Sequence, residues 1–141
     1  MSTPAGPASL DEARSELKSR CDAIESAYEF LLAYAAQGLA TDEGNANSEQ
    51  LRTYLQRMDE GIAGLEPAFR EVIGASGASA DFEEFLQVLV RDASAARAAL
   101  RIVVSRPGIS SQLIDNLNVS THLRAVLTDL FLLDEAVKGL G

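Results

Sequence analysis

A four-to-three hydrophobic beat recurs along this chain. Leu51, Leu55, Met58, Ile62, Leu65, Phe69 and Val72 step alternately by four and three residues. Val119, Leu123, Val126, Leu130, Leu133, Val137 and Leu140 repeat the same steps. Spacing of this kind keeps one apolar seam on one side of an α-helix. It predicts long helices laid side by side.

The boundaries follow from capping chemistry. Ser9-Leu10-Asp11-Glu12 reads as a capping box, in which the Ser9 hydroxyl accepts an amide hydrogen bond near Glu12. The first helix then runs to about Gln37, with Leu10, Ala13, Leu17, Cys21, Ile24, Tyr28, Leu31 and Ala35 inward, and Gly38 as its stop. After an acidic, Asn-rich loop, a second helix starts near Asn47 or Ser48 and ends at about Gly74. Pro67 lies inside it and removes a backbone hydrogen bond, yet the seam stays in phase across it. The expectation is a kinked helix or two abutting helices, without a change of direction.

Gly74 to Ala80 is a flexible connection, and Asp81 is the expected N-cap of a third helix that ends at Arg106-Pro107-Gly108. Its inward positions are Phe82, Phe85, Leu89, Ala93, Ala96, Leu100 and Val103. Extending the last seam backwards would bury Gln112 and Asn116. A short separate helix with Leu113, Ile114 and Leu117 inward fits better, followed by a last helix capped by Asn118 or Ser120 and running to about Lys138. The fold class is therefore all-α: an up-down-up-down four-helix bundle with a short extra helix before the last long one. Residues 1–8 read as a disordered arm and 9–141 as a single domain.

Composition narrows the functions open to such a bundle. The net charge of −9 argues against nucleic acid and against anionic membrane surfaces, both of which need a basic face. No uninterrupted apolar stretch is long enough to span a bilayer, and no basic-then-apolar leader is present. A single cysteine, Cys21, rules out an intramolecular disulfide. The cytoplasm is the expected compartment, and ten Arg against two Lys suggest a GC-rich bacterial genome.

Chemistry-bearing residues are sparse. One histidine, His122, cannot supply the paired Glu-x-x-His motifs of a di-metal bundle. Asp22, Glu25 and Glu29 share a helix face, which could hold a hard cation but is also what a solvated acidic face looks like. Cys21 falls on an inner seam, where a thiol reacts poorly. No nucleophile elbow and no phosphate-binding glycine loop occur. Arg97 and Arg101 share a face of the third helix and are candidate anion contacts, with internal salt bridges as the competing explanation. Gly61, Gly64 and Ala68 form a small-residue stripe expected to pack against the third helix. No enzyme activity, cofactor or metal is expected.

Two readings remain. Leu86, Val88 and Val90 on the third helix and Leu127, Phe131 and Leu132 on the last lie off the strict seams. More apolar surface than a lone bundle can shelter implies an interface, in the simplest case a homodimer. The chain then reads as a non-catalytic adaptor or chaperone-like factor. Alternatively, Tyr28, Tyr34, Asn116 and His122 line a ligand pocket between helices near the 112–122 junction, as in a sensor or carrier.

Overall fold

Ser9 opens the first helix as its capping role requires: its Oγ accepts the Glu12 amide at 3.1 Å. The computed structural model describes residues 9–140, so the expected arm at residues 1–8 lies outside the described residues. Among the described residues the chain is all helical, with no strand. The elements are α1 (Leu10–Ala35), α2 (Ser48–Ala63), α3 (Leu65–Ala75), α4 (Ser79–Val104), α5 (Ser111–Val119) and α6 (Thr121–Val137). Gly38 takes φ +67° just beyond α1, a left-handed backbone that glycine adopts without strain.

The second expected helix is two abutting ones. Pro67 is the third residue of α3, where a missing amide is tolerated, but its ring crowds the carbonyl four residues back, at Ala63. The break falls at Gly64. Every member of the first seam, from Leu51 to Val72, is nevertheless buried. A second break separates α5 from α6 at Ser120, whose extended backbone ends one helix and starts the next. Its Oγ donates to the Leu117 carbonyl at 2.8 Å and accepts the Leu123 amide at 3.3 Å. The break throws Val119 out of the last seam, leaving it 58% exposed while Leu123 to Val137 stay inside. The start of α4 also differs from expectation. Ala78 is the N-cap, with no side-chain cap bond, and Asp81 lies within the first turn because Ser79 and Ala80 continue the helix.

α1 packs along α2, α3 and α5, while α4 packs against α6, α2 and α3. The rod ends are tied in pairs. The Arg14 guanidinium donates to the carbonyls of Val137 (3.3 Å) and Leu140, satisfying the last turn of α6. Arg70 on α3 grips Glu83 on α4 at 2.8 and 3.0 Å. These neighbours are consistent with four antiparallel rods, the second and fourth each broken once. The buried side chains form a single cluster. Gly61 belongs to α1's side of that cluster and not to α4's: a Cβ there would stand 2.7 Å from Cγ1 of Ile24. The small-residue stripe therefore admits α1, which replaces the expected packing of α2 on α4 at this position. Phe30 of α1 stacks on Tyr54 of α2 with centroids 4.4 Å apart, and Arg57 lies over the Tyr54 ring.

Candidate functional site

The apolar residues expected to lie off the seams separate into three groups. Leu86 and Leu127 are buried in the chain's own core and are not surface. This corrects their assignment to an interface: α4 is touched by α2, α3, α5 and α6, and α6 by α3, α4 and α5, so on each helix a wider arc than one strict seam is covered. Val88 is half-buried, and Val90 is exposed beside a groove shared with Ile62 and Arg97. Phe131 and Leu132 remain, 53% and 55% exposed on the outside of α6. Val119 at the α5–α6 break and Ile102 on α4 are exposed as well.

The proposed ligand-pocket residues are dispersed in role. Tyr34 is fully buried, and its hydroxyl donates to the Ile109 carbonyl at 2.6 Å, so it is sealed from any ligand. Burial, then the nearby Asp42 carboxylate, keeps its phenol protonated beyond the ordinary range. Asn116 is exposed and accepts from Gln112 at 3.1 Å. His122 is exposed at the start of α6, and Tyr28 is half-buried on α1.

The two candidate anion contacts also part company. Arg97 makes a two-pronged pair with Asp59, at 2.9 and 3.3 Å, which ties α4 to α2. Arg101 is exposed and has no carboxylate partner among the described residues. It borders a groove of about 290 Å³ between α2 and α4, with Arg52, Leu55, Gln56, Asp59, Leu100 and Val104. A second groove, of about 360 Å³, opens between α1 and α6 over Leu17, Cys21 and Val137. Its rim mixes charges: Lys18 bonds Asp22 at 3.1 Å, and Arg14 is spent on the α6 carbonyls. Cys21 at its floor is pushed up to about 12, by burial first and then by the Asp134, Glu25 and Asp22 carboxylates. That thiol is a poor nucleophile at neutral pH. Among the described residues no three His, Cys, Asp or Glu side chains gather in a way that could hold a metal ion, and no helix is long and apolar enough to cross a membrane.

Two polar clusters were not singled out by sequence reasoning. The first joins the loops at one end of the molecule. Asp42, 1% exposed, accepts from Ser48 Oγ at 2.6 Å, the Ile109 amide at 2.7 Å and Arg52 Nε at 3.2 Å. Arg52 Nη2 also donates to the carbonyls of Arg106 and Pro107. Ser111 is buried beside them; its Oγ donates to the Tyr34 carbonyl and accepts the Leu39 amide. Burial opposes ionisation of Asp42, but the bonds from Ser48, Ile109 and Arg52 outweigh it and hold its carboxyl below the usual range. Every polar group here is committed within the chain, so the cluster is a clasp and not an open site.

The second cluster lies between α4 and α6. Both helices carry a further beat outside their core seams: Val88, Asp92, Ala95, Ala99 and Ile102 on α4, and Ala125, Asp129, Leu132 and Ala136 on α6. An aspartate interrupts each. Asp129 is 5% exposed, and its Oδ2 has no hydrogen-bond partner. Burial first, then a hydrogen bond that protonated Asp129 donates to Asp92 and the charge of that carboxylate, raise Asp129 to about 7. The signal that could have found it is this secondary beat, with its acid at an otherwise small or apolar position.

Compared with known proteins, the chain matches no family model, no curated protein and no solved structure.

Proposed function

We propose that this chain is a small antiparallel four-helix-bundle protein that works by docking rather than by catalysis, and that its first partner is a second copy of itself. The observation that carries the reading is the exposed pair Phe131–Leu132 on α6, large apolar side chains that the chain's own helices leave uncovered. Burying the exposed half of each is worth about 1 kcal/mol, and a two-fold axis places both pairs in one interface. The role that follows is an adaptor or chaperone-like factor. The lone buried thiol and the acidic surface fit a reducing bacterial cytoplasm.

Sedimentation velocity tests this. The wild-type chain is expected to run at twice its 15.0 kDa mass, and Phe131→Glu with Leu132→Glu to run as a folded monomer. A wild type that stays monomeric at high concentration defeats the self-association reading.

A second reading rests on Arg101. A small carboxylate or phosphate fits the α2–α4 groove, with the free guanidinium as its grip and Leu55, Leu100 and Val104 as its apolar wall. A native-state ligand must raise the melting temperature, so an anionic panel that leaves it unmoved removes this alternative.

A further inference from the structure

The α4–α6 seam holds an arrangement that a purely structural packing would avoid. Small residues, Ala95 and Ala99 on one helix and Ala125 and Ala136 on the other, recur along the two flanking beats. An acid sits on each side of that seam, and the one on α6 is sealed from water. Among the described residues no cation neutralises it. On α4, Arg91 is exposed and Arg97 is bound to Asp59 toward α2; the acid that reaches Asp129 is Asp92. From α5 the charged residue is Asp115, which is exposed. On α3, Arg70 is tied to Glu66 and Glu83, and Glu71 is exposed. On α6 itself, Arg124 is exposed, Lys138 bonds Asp134 and Glu135, and His122 is exposed at the far end.

We propose that Asp92 and Asp129 form a proton latch: with one proton shared between them α6 sits closed on α4, and when that proton leaves, the two carboxylates repel and the α4–α6 seam loosens. Two carboxylates facing each other in a poorly hydrated seam cannot both be ionised cheaply, whereas one protonated acid donates to its ionised partner. The proton moves between the pair and solvent, and no other group is consumed.

The direction of the pH effect is fixed. A carboxyl whose native value is raised stabilises the closed state fully below the ordinary carboxyl range. That contribution is lost as pH rises toward the native value, about 7. The latch is thus closed in mildly acid solution and opens toward mildly alkaline solution. Opening uncovers the apolar face of α6 carrying Val126, Leu130 and Leu133, which are buried when it is closed. This device acts within one chain and does not depend on the proposed dimer.

The test is a carboxyl-carbon NMR titration of the full chain, run beside amide hydrogen exchange corrected for its intrinsic pH dependence. In the wild type, the Asp129 carbon is expected to titrate near 7. Protection in α6 should fall by about tenfold for each pH unit between the ordinary carboxyl range and that midpoint, the effect of one pKa unit, and level off above it. Asp129→Asn should hold α6 protection constant across the range. Asp92→Asn should move the Asp129 midpoint down toward the ordinary carboxylate range, and it supplies the same readout if Asp129→Asn folds poorly. An Asp129 that titrates in the ordinary range in the wild type, or α6 protection indifferent to its titration, overturns the proposal.

Discussion

Replacing Asp42 by Ala is expected to destabilise the chain by about 3 kcal/mol, near the lower end of what breaking a buried charge pair costs. The size follows from what is stranded. The buried Ile109 amide loses its acceptor, and Ser48 loses its own. Arg52, 37% exposed, can turn to water, which keeps the loss from being larger. Asp42→Asn retains the shape and an acceptor oxygen, and should lose less than the Ala variant. Urea unfolding at neutral pH measures both. The pH dependence has a definite sign. Asp42's native value is lowered, so its contribution is present above about pH 4, the unfolded carboxyl range, and is lost as pH falls through the native value. The Ala variant should therefore show a shallower loss of stability in acid than the wild type. A variant within about 0.5 kcal/mol of wild type, the level of an ordinary surface change, would mean that the clasp does not hold the two loops.

Phe69→Ala should cost about 3–5 kcal/mol, the range for deleting a buried aromatic ring. Phe69 is fully buried two residues past Pro67, where the seam must stay in phase for α3 to reach the core that α2 serves. Neighbouring Leu65 and Val72 are also fully buried, so the cavity has little room to collapse. The ring should matter as much as any residue of α2. A loss near 1 kcal/mol, the centre of the general mutational distribution, would show that α3 is only loosely attached beyond the break.

The sequence announced the helices through their periodicity and caps. The seam from Leu51 to Val72 and the hydroxyl of Ser9 are local signals, readable within one or two turns. Pro67 announced the break in the second rod, because a proline's effect on the preceding carbonyl is local too. Ser120 was one of two possible caps, and the consequence of choosing it, an exposed Val119, depends on a single backbone dihedral pair. What the pattern could not reveal was long-range. Leu86 and Leu127 looked surplus because a strict seam assumes one partner per helix, whereas α4 and α6 each meet several neighbours. Tyr34 looked like a pocket residue because its polar tip was visible and its partner, the Ile109 carbonyl 75 residues away, was not. Asp42 sat in a loop that reads as solvated. Asp92 and Asp129 lie 37 positions apart, and nothing in either helix alone says that they meet. Burial of an acid is a property of two elements, and one strand of text shows only one at a time.

The most direct test of docking through α6 is a dilution series followed residue by residue in amide NMR spectra of the wild-type chain. The account predicts concentration-dependent shifts centred on Phe131 and Leu132 and extending to their neighbours on the outer face of α6, with the α2–α3 side unmoved. Spectra unchanged between dilute and concentrated samples, or shifts centred on α2 and α3 instead, would contradict it.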